Sequence, residues 1–365
     1  MNPTYKINNI QELDSPSLII YQEVMNLNID KMIEISGSAD RLMPHVKTNK
    51  SINVVKAMIA AGINKFKCST IAEAEMVAMA GAKKVLIAHQ LVGPKVKRLI
   101  KLAVGYPDTD FASIVDDFQL ISTMQHLFSE SSRTARVYID VNNGMNRTGA
   151  EVFRLKGLAI HIKTCENIQF EGWHVYDGHH REEAFIDRKN GIEGDLNGFE
   201  KFLQENPDLP QKVIAGGSPA FTVHATNEDY VCSPGTSVFW DWGYGDRFKE
   251  QPFEYAALVL TRVISKPTEG IVTIDLGHKA IASENPIDKR VRFINLEGYE
   301  LISQSEEHGV LKVDSWDDIS VGDELLGVPY HVCPTVNLYD EAYIISENQQ
   351  VDSWGIAGRK RRINY

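Results

Sequence analysis

The sequence predicts an α/β protein in which a (β/α)8 barrel of the TIM type is followed by a mainly β domain. Its 365 residues exceed what one small domain needs. From about residue 40 to residue 245, short β-branched runs alternate with amphipathic helical stretches, which is typical of parallel βαβ units. After Glu254 the pattern changes to strands joined by turns, without long helices. We therefore expect the barrel over residues 31–250 and the β domain over residues 251–365.

Eight strands are predicted in the first part of the chain, and their number favours a closed barrel. An open, doubly wound sheet fits the same periodicity, so only the strand count separates the two folds. Helical stretches such as "TIAEAEMVAMAGA", "PKVKRLIKLAV" and "EVFRLKGLAIHIKTC" lie between the strands. The strand candidates are "RLMPHV", "KFKCST", "KVLIAH", "DFASIV", "RVYIDV", "FEGWHVY", "KVIAGG" and "DYVCSPG".

The N-terminal segment, residues 1–30, is predicted as a strand, "SPSLIIY", followed by a helix. This strand is able to pair with either of the larger parts, including the C-terminal domain. The strands predicted after Glu254 are "YAALVLTRVISKP", "GIVTIDLG", "VRFINLEGYELIS", "HGVLKV" and "DELLGVPYHVCPTV".

The charge balance excludes several classes of partner. With a net charge of −11 and a pI near 5.5, the chain has no general attraction to nucleic acid or to an anionic membrane surface. The basic run "GRKRR" near the end fits a short solvated terminus. No apolar run approaches the ~18 residues of a membrane helix. A small-molecule substrate is therefore expected.

Cysteine usage and the first residues predict a cytoplasmic location. The four cysteines are widely spaced and form no CxxC motif, so we expect reduced thiols. The opening "MNPTYKINN" lacks a charged stretch followed by an apolar core, so no secretion signal is expected.

Polar residues follow several predicted strands, at the end of a parallel barrel where active sites are built. Lys47 follows the first strand, within "MPHVKTNK", where the octapeptide alone favours a solvated loop lysine. After the later strands come Arg147 in "GMNRTG" and, in "YDGHHR", Tyr176, Asp177, His179 and His180. Each also has a simpler interpretation, as a surface charge or as part of a solvated loop cluster. Their convergence on one rim favours a functional site.

Two glycine-containing turns predict a phosphate site on the same rim. The turn after the seventh strand contains Gly216, Gly217 and Ser218, and the turn after the eighth contains Gly235 and Thr236. Backbone N–H groups at such turns bind phosphate, and late barrel strands commonly supply them. Either turn alone is a weak signal, because most glycine turns are structural. Together with a lysine on the same rim, they predict pyridoxal phosphate, whose aldehyde combines with an amine.

A second motif predicts a metal site in the β domain. His331 and Cys333 lie two residues apart on a predicted strand, which would place both side chains on one face. An imidazole with a thiolate favours zinc. A packed cysteine beside a capping histidine fits the spacing equally well.

The motifs resemble those of a known group of enzymes. "MPHVKTNK" resembles the "RPHVKTHK"-like segment of the metal-dependent D-threonine aldolase and D-serine dehydratase family, and "GMNRTG" resembles the same region of alanine racemase. The resemblance runs from "SPSLIIY" to "HVCPTV". It implies the type III fold of pyridoxal-phosphate enzymes, which combines an N-terminal barrel with a C-terminal β domain, and a homodimer.

The resemblance also implies roles for individual residues. Lys47 looks like the lysine that forms a Schiff base with the cofactor, and Arg147 looks like the arginine near the cofactor ring and the substrate; Tyr176 is grouped with them. The positions that look like the phosphate loops are Gly216, Gly217, Ser218, Gly235 and Thr236. His331 and Cys333 look like the pair that holds a divalent metal, zinc or manganese.

Two departures from the family patterns bear on the reaction. Where the aldolases carry a base histidine in a "YHG"-like stretch, this chain has Tyr176, Asp177 and Gly178. Where alanine racemase has an arginine before "PG", this chain has Ser233. A racemase, or a non-catalytic protein that binds pyridoxal phosphate, therefore comes third among the expected functions.

The expected function is a lyase for a D-β-hydroxy-α-amino acid. Retro-aldol cleavage gives glycine and an aldehyde, whereas β-elimination gives a keto acid and ammonia. Only the first also needs a base near the hydroxyl, which Asp177, His179 and His180 are placed to supply. For that reason we expect a D-threonine aldolase, with a D-serine or 3-hydroxyaspartate dehydratase, favoured by the thiolate ligand and the missing histidine, as the alternative.

Overall fold

The structure is a computed structural model that describes residues 5–365; Met1–Thr4, where the opening segment discussed above begins, lie outside the described residues. The chain divides into two compact units. The barrel unit comprises residues 32–47, 52–235 and 360–365. Among the described residues, the β unit comprises residues 5–31, 48–51 and 236–359.

The helices and strands follow the alternation that the sequence predicts. The strands are β1 (Ser17–Tyr21), β2 (Lys65–Cys68), β3 (Lys84–Ile87), β4 (Asp110–Val115), β5 (Ala135–Val141), β6 (Ile168–Val175), β7 (Val213–Ala215), β8 (Tyr230–Cys232), β9 (Ala257–Thr268), β10 (Ile271–Ile274), β11 (Val291–Phe293), β12 (Tyr299–Gln304), β13 (Gly309–Val313), β14 (Glu324–Pro329), β15 (Glu341–Ser346) and β16 (Gln349–Gly355). The helices are α1 (Gln22–Ser36), α2 (Ile52–Ala60), α3 (Ile71–Met79), α4 (Lys95–Gly105), α5 (Phe118–Glu130), α6 (Val152–Lys163), α7 (Phe185–Glu205), α8 (Phe221–His224), α9 (Trp242–Arg247) and α10 (Val332–Val336).

The barrel unit contains a parallel sheet in the order β2-β3-β4-β5-β6-β7-β8. The predicted first strand, "RLMPHV", is reduced to two isolated parallel bridges, one from Leu42 to Cys232 in β8 and one from His45 to Lys67 in β2. This segment therefore joins the two edges of the seven-stranded sheet and takes the eighth position. Pro44 has no N–H to donate, but its carbonyl accepts from the Lys67 N–H at 2.9 Å. The predicted (β/α)8 barrel is confirmed.

Apolar side chains fill the interior of the barrel. The short parallel strands are buried on both faces, which suits near-continuous runs such as "VLI" and "FASIV". One buried cluster within the barrel comprises Met43, Leu86, Ala112, Ile114, Tyr138, Ile214 and Val231. The packed interior fixes the strand ends, from which the polar residues of the rim project.

The β unit is built on a nine-stranded sheet. Its main path runs β12-β13-β10-β9-β1-β15-β16, and β14 pairs with both β9 and β11. The N-terminal strand β1 lies inside this sheet, antiparallel to β9 and parallel to β15. The mainly β character predicted for the last part of the chain is confirmed. Within residues 5–365, no helix combines the length and apolar composition needed to cross a bilayer.

Candidate active site

A cavity of about 410 Å³ lies in the barrel unit beside the side chain of Tyr176. Strand ends and the loops after them supply its walls. The polar side chains that line it include His45, Lys47, Lys67, Gln90, Arg147 and His174. Lys47, Arg147 and Tyr176, which the sequence places on the rim, therefore lie together in one cavity.

Three cationic groups surround the ring of Tyr176. The Nζ atoms of Lys47 and Lys67 each lie 5.7 Å from the ring centroid, and the guanidinium carbon of Arg147 lies 4.8 Å from it. Cations at such distances from an aromatic face are attracted by its quadrupole. The ring carries only partial negative charge, so it does not neutralise these cations.

Lys47 lies in a turn two residues after His45, whose bridge to Lys67 helps to close the barrel. Its side chain is partly buried. Its backbone N–H donates to Nδ1 of His45 at 3.3 Å, and Nε2 of the same imidazole lies 3.2 Å from the hydroxyl oxygen of Ser69. These contacts hold the turn and direct the amine into the cavity. The solvated-loop interpretation of Lys47 is therefore wrong.

Lys67 was missed by the sequence reasoning and is fully buried in β2. Its Nζ donates to the carbonyl oxygen of Gly216 at 3.1 Å and to the hydroxyl of Ser233, and it lies 3.5 Å from Nε2 of His174. Burial, followed by the charge of Lys47, lowers the pKa of this amine to about 7. A lysine within a strand buried on both faces was the signal that could have identified it.

The two carboxylates closest to this charge are already paired with histidines. Asp140 accepts from Nδ1 of His174 at 2.7 Å, and Asp177 is paired with His224. Burial alone would raise the pKa of both carboxyls, but their histidine partners hold both pKa values below the ordinary value. Burial lowers the pKa of His174, so a neutral imidazole faces Lys67.

The chemistry of this cavity fits pyridoxal phosphate. Lys47, Lys67 and Arg147 offer positive charge to an anion, and a phosphate-bearing aldehyde supplies both that anion and a partner for an amine. Lys47 and Lys67 are the two amines available in the cavity.

Neighbouring side chains leave no room for a Cβ at Gly216 or Gly217 in the predicted phosphate turn. Gly216 has φ of +70°, and a Cβ there would lie 2.5 Å from Cδ2 of His224. A Cβ on Gly217 would lie 2.9 Å from Cε2 of Tyr176. The N–H of Gly235 donates to the hydroxyl oxygen of Ser218 at 3.1 Å, which ties the two predicted turns together.

The triplet Asp177, His179 and His180 does not line the cavity. Asp177 is completely buried and pairs with His224. His179 and His180 instead both point to Asp195, on α7. The base that the sequence analysis assigned to these residues is therefore absent from the cavity wall.

In the β unit, the geometry predicted for His331 and Cys333 is wrong. Strand β14 ends at Pro329, and His331 is the N-cap of α10, whose second residue is Cys333. Pro334 lacks the N–H that a ladder needs but is tolerated in the first turn of a helix, which explains why the strand stops. The helix start nevertheless brings the two side chains together, since they form a hydrogen bond.

The surroundings of this pair suit a metal ion. The Cys333 sulfur lies 3.1 Å from the hydroxyl oxygen of Thr48 and 3.5 Å from that of Thr236. Burial would raise the pKa of Cys333, but His331 outweighs it and lowers the pKa. Nδ1 of His331 donates to Glu284 at 2.6 Å, which is how metal-binding histidines are commonly oriented. Burial would lower the pKa of His331, but its anionic neighbours, Cys333 first, raise it to about 9.

Comparison with known proteins identifies the family. Residues 20–241 match the family model "Alanine racemase, N-terminal domain", and residues 256–345 match "Putative serine dehydratase domain". The first match covers more than half of the chain, which therefore belongs to the alanine racemase N-terminal domain family. The sequence-based recognition of this group is confirmed.

Individual relatives carry lyase activities. The chain is 26% identical to a 3-hydroxy-D-aspartate aldolase of Paracoccus denitrificans, over 95% of this chain and 92% of that protein. It is 23% identical to a D-threo-3-hydroxyaspartate dehydratase of Delftia sp., over 94% of this chain and 97% of that protein. The structure of a D-threonine aldolase from Filomicrobium marinum superposes with a TM-score of 0.86 at 25% identity, covering 98% of this chain and 99% of that one. The protein is thus a lyase of the pyridoxal-phosphate-dependent family.

The buried Lys67 predicts an unusual dependence of stability on pH. The unfolded side chain keeps its proton up to a pKa of about 10.4, whereas the folded one loses it near pH 7. Between these values the unfolded chain binds more protons, so folding stability rises with pH. Replacing Lys67 by methionine, which has a similar length, should remove this rise. In urea unfolding of cofactor-free protein from pH 6.5 to pH 9, the wild type should gain on the order of 2 kcal/mol relative to Lys67→Met. If the free energy of unfolding changed equally with pH in the wild type and in Lys67→Met, Lys67 would have an ordinary pKa.

Proposed function

We propose that the protein is a dehydratase that eliminates water from a D-β-hydroxy-α-amino acid, such as D-serine or a 3-hydroxyaspartate, to give a keto acid and ammonia. The observation that carries this proposal is the composition of the cavity wall. It contains Lys47 for the proton at Cα, whereas the three side chains expected to act as a base on the hydroxyl face elsewhere. β-Elimination does not require that base, but retro-aldol cleavage does.

The cofactor and the metal divide the chemistry that side chains cannot supply. Pyridoxal phosphate, when bound, supplies an aldehyde for the substrate amine and a ring that takes up electrons released at Cα. A divalent ion held by His331 and Cys333 would supply a Lewis acid for the β-oxygen. The turns of Gly216 to Ser218 and of Gly235 would hold the phosphate of the cofactor.

The residues of the chain then have separate tasks. Lys47 holds the cofactor through its Nζ and, once released, takes the Cα proton at the same atom. Arg147 and Lys67, which both line the cavity, would attract the carboxylate of the substrate. The side chain of Tyr176 packs against Gly217, and this contact holds the tyrosine ring between Arg147 and Lys67. Lys47 is joined to Thr48, whose hydroxyl contacts Cys333, by one peptide bond.

Retro-aldol cleavage remains the second candidate, because a specific observation favours it. The aldolase relative is more similar to the chain than the dehydratase relative, at 26% against 23% identity. A D-threonine aldolase was also the expectation from sequence. A homodimer, as expected from the same resemblance, forms part of either proposal.

Product analysis separates the two reactions. We expect purified holoenzyme to convert D-serine to pyruvate and ammonia, and D-threonine to 2-oxobutyrate and ammonia. The keto acids are measured with lactate dehydrogenase, and amino acids and aldehydes by chromatography. Glycine and acetaldehyde from D-threonine, without 2-oxobutyrate, would establish the aldolase instead.

The metal assignment is tested by Cys333→Ser, with Cys165→Ser as the matched control. Cys165 is also partly buried and donates to the carbonyl oxygen of His161 at 3.4 Å, in a different part of the fold. Cys333→Ser should lose the near-ultraviolet thiolate-to-cobalt band of the cobalt-substituted protein and about 90% or more of its turnover, because a metal ligand is removed. If it merely melts earlier while keeping the band, Cys333 is a packing residue.

A further inference from the structure

A group of metal-ligating side chains lies outside the cavity and apart from the His331 and Cys333 pair in sequence. His179 and His180 lie in the loop after β6, and Asp195 lies on α7. Nε2 of His179 is 2.8 Å and Nε2 of His180 is 2.9 Å from the same oxygen, Oδ2 of Asp195. One ligand atom from each of the three side chains lies within 4.8 Å of the others. We call these three residues the histidine cluster.

We propose that the histidine cluster binds a divalent transition-metal ion, zinc above all. Two imidazole nitrogens and one carboxylate oxygen are the donor set that zinc accepts at about 2.0–2.2 Å. Ligands bound at that distance in a tetrahedron are roughly 3.3 Å apart, so the two separations between a histidine nitrogen and Oδ2 of Asp195 need to widen by only about 0.5 Å. Three protein ligands leave the fourth position to water.

The other ring nitrogen of His180 supports this assignment. Nδ1 of His180 lies 3.3 Å from Oε1 of Glu182, so a carboxylate faces each side of the imidazole. In metal sites, a ligand histidine typically donates its second N–H to such a carboxylate, which orients the ring. Glu182 therefore stands where the carboxylate partner of a metal-bound histidine is expected.

The histidine cluster converges on one point. Only one carboxylate oxygen, on Asp195, lies within hydrogen-bond distance of both rings, whose centroids are 4.2 Å apart. A single ion at this point would contact all three side chains.

The backbone around the histidine cluster is firmly held. Gly144, in the loop after β5, has φ of +103°, and a Cβ there would lie 2.7 Å from Oδ2 of Asp195. The buried guanidinium of Arg188 donates to the carbonyl oxygen of Glu182 at 2.7 Å. An ion bound here would connect the loop after β6 to α7, and that loop begins with Tyr176. We infer that the ion stabilises the loop that carries Tyr176 into the cavity.

Zinc titration of chelator-treated full-length protein tests this site. The variants are Asp195→Asn and His179→Gln, which keep side-chain size and hydrogen bonding but remove a ligand. Their matched controls are Asp208→Asn and His161→Gln, an exposed carboxylate and a helix-borne histidine elsewhere in the barrel unit. With a chromophoric chelator as competitor, each ligand variant should bind one zinc equivalent fewer than the wild type, or bind it at least about tenfold more weakly. The controls should match the wild type.

Cobalt distinguishes this site from the pair in the β unit. Ligand variants of the histidine cluster should keep the thiolate-to-cobalt band and lose d–d intensity that belongs to nitrogen and oxygen ligands. Unchanged zinc stoichiometry and affinity in both Asp195→Asn and His179→Gln would overturn the proposal and leave a hydrogen-bonded cluster. His179 is exposed, so its variant answers the question even if Asp195→Asn does not fold. The outcome does not depend on which reaction the enzyme catalyses.

Discussion

Three positive side chains directed at one tyrosine ring are the constraint on which the candidate active site depends. Burial of Lys67, followed by the charge of Lys47, lowers the pKa of the Lys67 amine to about 7. Asp140 and Asp177, each also paired with a histidine, offset part of this effect by raising the pKa. An anion bound beside Lys47, Lys67 and Arg147 would favour the charged forms of these side chains. Pyridoxal phosphate supplies that anion and gives the nearby amine its reactive partner.

The fold was predictable from sequence because its signals are local. Short β-branched runs between amphipathic stretches identified all seven regular strands of the barrel, and strand count favoured closure. The closing segment shows the limit, since "RLMPHV" forms bridges at Leu42 and His45 rather than a regular strand. Likewise "HVCPTV" begins a helix because Pro334 cannot join a ladder. The strands β15 and β16 were not predicted.

The site was only partly predictable, because half of it depends on distant pairings. Position after a strand located Lys47, Arg147 and Tyr176, whose shared rim follows from the topology of a parallel barrel. Asp177 looked equally well placed, yet its partner His224 lies 47 residues away and draws it out of the cavity. No local sequence pattern predicts a pairing between residues so far apart in the chain. The contact pairs Asp177, one of the three bases expected for retro-aldol cleavage, with a residue that does not line the cavity.

Two amines lie at the same distance from Tyr176, so the identity of the cofactor-bearing lysine is the central claim. Holoenzyme reduced with sodium borohydride, digested and analysed by peptide mass spectrometry tests it directly. We predict the reduced cofactor on the peptide that contains Lys47, with the peptide of Lys67 unmodified. Modification of Lys67, or of neither lysine, would contradict the account.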